Sequence, residues 1–120
     1  MGATDSGRIL LVEDDLVSQR QVAAVLSDNG YAIDRVYDGG AAVTASAFRH
    51  YDAILMDLQM PGMDGYQATS AIREREGCRW HTPIIAVTAA NDPWDRARRL
   101  ASGMDAHLGK PWRPMPSWPW

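Results

Sequence analysis

The sequence predicts an α/β domain built on a doubly wound parallel sheet, and three short apolar runs carry that prediction. Ile9-Leu10-Leu11-Val12 stops abruptly at Glu13-Asp14-Asp15, Ala53-Ile54-Leu55-Met56 stops at Asp57, and Ile84-Ile85-Ala86-Val87 stops at Thr88. Continuous rather than alternating hydrophobicity marks strands covered on both faces, which is the habit of parallel sheets. Helical patterns fill the intervals, and strands alternating with helices imply crossovers that return to one sheet.

Each element has its own signal. The run Ile9 to Val12 is β1. After it Val22, Val25 and Leu26 recur at three and four, and Asn29-Gly30 supplies a stop, which predicts α1 with Asp14 or Asp15 as its cap. Tyr31 to Val36 mixes apolar residues with Asp34 and Arg35, as an edge strand does, and is β2. Gly39 to Arg49 is rich in alanine, with Val43 and Ala47 four apart, and reads as α2. Ala53 to Met56 is β3. Asp64 can cap α3, whose Ala68, Ala71 and Ile72 share one face. Ile84 to Val87 is β4, and Asn91-Asp92-Pro93 offers a cap and a first-turn proline for α4, which Gly103 ends. Ala106-His107-Leu108 is a short β5 before Gly109-Lys110-Pro111.

The last stretch, Pro111 to Trp120, holds four prolines and three tryptophans. Proline lacks the amide donor and clashes with the preceding turn, so no regular helix forms there. The expected organisation is a disordered segment over 1–7, one domain over 8–111 and a Pro/Trp-rich tail over 112–120.

Composition narrows the function classes. A chain of 120 residues with 22% charged residues and a net charge of −3 is one globular domain, and bulk electrostatics suggests neither a nucleic-acid nor a membrane partner. Arg96, Arg98 and Arg99 form a small basic group that reads as a solvated helix face. The single cysteine, Cys78, excludes an internal disulfide and fits a reducing compartment. No apolar stretch approaches transmembrane length and the first residues are not signal-like, so a soluble, cytoplasmic protein is expected.

The chemistry is placed by the fold. In open parallel sheets ligands bind beyond the carboxyl ends of the strands. Those ends carry Glu13 and Asp14 after β1, Asp57 after β3, Thr88 after β4 and Lys110 after β5. Crowded carboxylates repel unless a cation lies between them, and Mg²⁺ suits oxygen ligands, few carboxylates and phosphate oxygens. Asp14 and Asp57 are the expected direct ligands, Glu13 acts through water, and the Gln59 carbonyl adds an oxygen. A carboxylate can also serve as nucleophile toward phosphorus. The charge of the transferred group would be met by Mg²⁺, Lys110, the Thr88 hydroxyl and backbone amides. Each motif alone has a plain reading as turn, cap or loop; their joint ordering is what argues for function.

The segments Ile9 to Asp15, Leu55-Met56-Asp57-Leu58-Gln59-Met60-Pro61-Gly62-Met63-Asp64-Gly65, Val87-Thr88-Ala89 and Gly109-Lys110-Pro111 resemble the signature blocks of response-regulator receiver domains, from about Arg8 to Pro111. Gly103 to Pro111 especially resembles receiver modules of hybrid histidine kinases. The resemblance implies a five-stranded flavodoxin-like order 2-1-3-4-5 and a cis Lys110–Pro111 bond. It also implies phosphorylation on Asp57 by a histidine kinase, a histidine phosphotransfer domain or a small donor such as acetyl phosphate. By it, Glu13 and Asp14 line the metal pocket, Thr88 and Lys110 contact phosphate, and the domain catalyses its own dephosphorylation.

Several positions depart from that pattern. His107 stands where the family's aromatic switch residue would be, and acts either as a switch with Thr88 or as an edge-strand histidine. His107 is not read as a metal ligand, since His50 and His81 lie in unrelated loops. Gln59 and Ala90 occupy the positions that tune phosphoryl lifetime. The final helix, α5, is missing or replaced by the tail, which would open an apolar face over β4 and β5. That face is covered by Trp112, Trp118 and Trp120 or by a second copy in a homodimer; the other reading is a truncated or frame-altered chain with a disordered tail. The rival function is a receiver-like docking or dimerisation module that is never phosphorylated. A dehalogenase-type phosphatase would want an Asp where Gln59 stands, and a flavin binder a glycine-rich loop where Glu13-Asp14-Asp15 stands.

Overall fold

The computed structural model describes residues 7–58, 62–77, 79–89 and 101–110, with the side chains of 88, 89 and 107–110 left aside. The elements are β1 (Gly7–Val12), α1 (Leu16–Asp28), β2 (Tyr31–Val36), α2 (Gly39–Phe48), β3 (Ala53–Asp57), α3 (Gly65–Glu76), β4 (Ile84–Ala89) and β5 (Ala106–Lys110). All pairings are parallel and the sheet order is β2-β1-β3-β4-β5. β1 lies between β2 and β3 because the winding reverses after β2, which puts helices on both faces.

Alternation along the strands builds two cores. Ile9, Leu11, Ala53, Leu55, Ile85 and Val87 face Val22 and Leu26 of α1. Leu10, Val12, Ile54, Met56, Ile84 and Ala86 face Ala42 of α2, Ala68 and Ile72 of α3, and Met104. Both faces of β3 are thus dry, which is why its sequence runs apolar without a break.

The structure refines several expectations. β1 starts at Gly7, inside the segment expected to be disordered. Gly7 pairs with Tyr31, and the next amide, of Arg8, donates to the Asp52 carboxylate at 2.7 Å. Asp15 rather than Asp14 caps α1, accepting from the Ser18 amide at 3.0 Å. On α2 the buried positions are Gly39 and Ala42, with Val43 and Ala45 packed beside them, whereas Ala47 is exposed. α3 starts with a reciprocal capping box, in which the Gln67 amide donates to Asp64 Oδ1 at 2.9 Å and the Asp64 amide donates to Gln67 Oε1 at 3.0 Å.

On the face expected to lie open, Ile85 and Val87 are 2% and 1% exposed. Cys78, Arg96, Arg98 and Arg99, the start of α4 and the tail with Trp112, Trp118 and Trp120 lie outside the described residues. Ala101 and Ser102 are helical and end at Gly103, whose φ of +97° suits the stop read from the sequence.

Candidate functional site

The site begins with strand register. Val12 pairs with Met56, so the chain leaves β1 and β3 side by side and sets Glu13 and Asp14 next to Asp57. One carboxylate oxygen from each of Glu13, Asp14 and Asp57 lies within 4.8 Å of the other two. Glu13 and Asp57 are 1% and 2% exposed, while Asp14 faces solvent.

Backbone contacts hold this arrangement. The Glu13 amide donates to the Val36 carbonyl at 3.2 Å, tying the exit of β1 to the exit of β2. The Asp15 amide donates to Glu13 Oε1 at 3.1 Å, which turns that carboxylate back over its own loop. The Gln19 amide group donates to the Glu13 and Val36 carbonyls, each at 3.1 Å. Beneath Asp57, a Cβ on Gly65 would come within 2.6 Å of the Asp57 carbonyl oxygen, so α3 can approach the end of β3 this closely only through a glycine.

On the other flank Asp57 pairs with Val87, and the Leu58 amide donates to the Val87 carbonyl at 3.2 Å. Thr88 follows directly and pairs with Gly109, while Lys110 pairs with Ala89 and His107 with Ala86. The register therefore sets the backbones of Thr88 and Lys110 at the same end of the sheet as the acids. Gln59, Ala90 and Pro111 lie outside the described residues.

At 4.8 Å two carboxylates repel by about 1 kcal/mol even with the dielectric of water between them, so the trio favours a cation. The donor set fits a hard divalent ion: three carboxylates, with neither sulfur nor imidazole in the group. Oxygens up to 4.8 Å apart would leave room for an ion held directly by Asp14 and Asp57 and through water by Glu13. Three carboxylates are few for Ca²⁺, which takes 6–8 oxygens, and suit Mg²⁺, which keeps several waters.

The opposite end of the sheet, where the strands begin, is built differently. There a cavity of about 240 Å³ is lined by Ser46, Arg49, His50, Arg75, Trp80 and Thr82 among others. His50 meets Trp80 edge-on with ring centroids 4.1 Å apart, so the loops carrying His50 and His81 are neighbours. Beside them Arg73 donates from Nε to the Gly103 carbonyl (2.9 Å), from one terminal nitrogen to Glu76 Oε1 (2.7 Å) and the Thr82 carbonyl (2.8 Å), and from the other to Asp105 Oδ2 (2.7 Å). His81 Nε2 lies 2.5 Å from Asp105 Oδ1. Burial pushes the Glu76 carboxyl up, but hydrogen bonds from Thr82 and Arg73 outweigh it and hold the group below its ordinary 4.5. Neither this cluster nor Gln19 was assigned a role from the sequence. Gln19 had a signal, since it falls on one helical stripe with Val22 and Leu26. The cluster had none, because its members lie up to 32 residues apart.

A doubly wound sheet with three acids gathered at the ends of β1 and β3 presents a rim suited to a hard divalent cation. The profile of the response regulator receiver domain matches residues 9–115, and the chain belongs to that family. It is 40% identical over 114 residues to hybrid signal transduction histidine kinase B of Dictyostelium discoideum, covering 87% of this chain and 6% of that protein. Over 106 residues it is 43% identical to the sensor protein GacS of Pseudomonas syringae pv. syringae, covering 87% of this chain and 12% of that protein. The chain thus spans a small part of the hybrid kinases it resembles. Among solved structures it is similar to the receiver domain of sensor histidine kinase PA1611 from Pseudomonas aeruginosa PAO1, crystallised with a magnesium ion coordinated in its active site cleft. The TM-score is 0.81 at 44% identity, covering 90% of this chain and 88% of that one. No described helix is long and apolar enough to cross a membrane.

Proposed function

We propose that this chain is a phosphoacceptor, taking a phosphoryl group on Asp57 from the phosphohistidine of a histidine kinase or histidine phosphotransfer domain, or from a small acyl phosphate. The observation that carries the reading is the gathering of Glu13, Asp14 and Asp57 within 4.8 Å at one end of the sheet. An oxygen of Asp57 attacks phosphorus, the bond from phosphorus to the donor's imidazole nitrogen or acyl oxygen breaks, and an acyl phosphate remains on Asp57. Asp57 is buried at the tip of β3, where the strand pairs with Val87 and Gly65 closes against its carbonyl, so the position of the nucleophile is set by the sheet.

Asp14 and Asp57, with Glu13 through water and the Gln59 carbonyl, would hold Mg²⁺, which when bound offsets charge on the phosphoryl oxygens. Lys110 neutralises a further oxygen, and Thr88 donates a hydrogen bond to the phosphoryl group. Movement of Thr88 toward that group lets His107 turn inward, giving a two-state output face. Water returns Asp57 to its free form, so the domain acts on itself and turns over no external substrate. Output passes to a partner protein.

Intact-protein mass after incubation with acetyl phosphate and Mg²⁺ tests this directly. One phosphoryl adduct is expected, absent in Asp57→Asn, absent with a chelator and released by hydroxylamine. Folded protein that never takes the adduct would instead be a docking module with an inert Asp57.

A further inference from the structure

We infer that Gln19 is a positioning residue that sets the affinity of this site for its divalent cation; the inference rests on the reading of Glu13, Asp14 and Asp57 given above. Gln19 is 1% exposed and lies on the apolar stripe of α1 beside Val22 and Leu26. An amide in such a place is costly unless its hydrogen bonds are made. Its nitrogen makes two, to the carbonyls of Glu13 and Val36, each at 3.1 Å. Carbonyl oxygens only accept, so the nitrogen end of the amide must face them.

The first of these carbonyls is the important one. The Glu13 carbonyl and the Asp14 amide belong to a single rigid peptide plane, which joins the two acids of the β1 loop. Turning that plane re-aims Asp14 and tilts Glu13 at the same time. Glu13 is gripped from both sides, since its amide donates to Val36 and its carbonyl accepts from Gln19. Without the Gln19 donor, a buried carbonyl is left to find another partner, and the simplest route is rotation of the plane toward water. Gln19 touches no phosphoryl or metal ligand atom; it acts through the backbone between two carboxylates, and its loss would be read first in cation binding. Its neighbours Arg20 and Gln21 are exposed and have no such reach.

The test is calorimetric titration of the full 120-residue chain with MgCl₂, comparing wild type, Gln19→Met, Gln19→Asn and Val22→Ala. Methionine keeps the length and apolar packing and removes both donors. Asparagine keeps an amide one methylene too short to reach both carbonyls. Val22→Ala removes core packing from the same helix without touching the loop, and is the control for lost stability, read as thermal midpoint in metal-free buffer. Gln19→Met should bind Mg²⁺ about 10–100-fold more weakly, Gln19→Asn at least about threefold, and Val22→Ala within about twofold of wild type. If Gln19→Met is unfolded at the titration temperature, Gln19→Asn decides. Wild-type affinity in the Gln19 variants, or an equal loss in Val22→Ala, overturns the inference while leaving the site reading intact. A wild-type chain that takes up no Mg²⁺ overturns both.

Discussion

Replacing Arg73 by methionine should be among the most damaging single changes outside the core. The guanidinium is 16% exposed and its partner Glu76 only 5%, so the pair is largely withdrawn from water. Breaking a buried pair by removing one member leaves an uncompensated charge and costs about 3–5 kcal/mol. Arg73 also donates to the Gly103 and Thr82 carbonyls and to Asp105, and Asp105 in turn accepts from the Ile84 amide at 2.8 Å. Those bonds hold the start of β4 against the segment entering β5, so the loss falls near the upper end of that range. For a chain of 120 residues it corresponds to a fall in Tm of roughly 15–30 °C.

The assay is urea denaturation at pH 7 with the double variant Arg73→Met/Glu76→Met alongside. The double variant should recover the part of the loss due to the stranded Glu76 charge, while the bonds to Gly103, Thr82 and Asp105 stay lost. The sign with pH follows from Glu76, whose carboxyl lies lower in the folded chain than its ordinary 4.5. Its contribution is complete above that value and disappears as pH falls through the folded-state value, so the Arg73→Met deficit should shrink in acid. A deficit below about 1 kcal/mol at pH 7, or a double variant no better than the single, would refute the reasoning.

Two further outcomes follow from close contacts. Gly65→Ala drives a methyl against the Asp57 carbonyl oxygen at 2.6 Å and against Leu58 and Met56 at 3.0 Å, so it should cost about 1–3 kcal/mol and reduce phosphoryl uptake, read by denaturation and by adduct yield. Burial and the hydrogen bond to Asp34 raise the Tyr51 phenol to about 12, so Tyr51→Phe should remove one phenol from the ultraviolet titration near that pH. Because the folded value is the higher one, this group's stabilisation is present below about pH 10 and lost as pH rises through about 12, and Tyr51→Phe should flatten that alkaline limb.

Residues whose role depends on local pattern were legible in the sequence, and those whose role depends on distant partners were not. The runs ending at Glu13, Asp57 and Thr88 gave β1, β3 and β4, because strands dry on both faces leave a continuous apolar record. Asp64 was readable as a cap because capping needs only a carboxylate at a fixed offset from its helix. The acids of the site were readable because a parallel sheet brings strand ends together whatever the lengths between them. Gly7 was missed as a strand residue since its pairing depends on Tyr31 and on Asp52 beyond β2. Gln19 shares the buried stripe of α1 with Val22 and Leu26, but its two carbonyl partners, in the β1 loop and at the end of β2, cannot be read from that spacing. Arg73, Glu76 and Asp105 each pass for surface charge until the fold closes them on one another.

Two charged clusters among the described residues stand at opposite ends of the sheet. The anchoring cluster acts at Ile84, where β4 starts, and the acids act beside Val87, where it is about to finish. Three residues of strand separate these points by roughly 10 Å, at the far edge of the distance over which substitutions couple through shared contacts. At that spacing substitutions at the two ends should combine additively in free energy. Endurance and chemistry can then drift independently, so a lineage or an engineer can harden the base against heat without retuning the rim, or alter the rim without risking collapse.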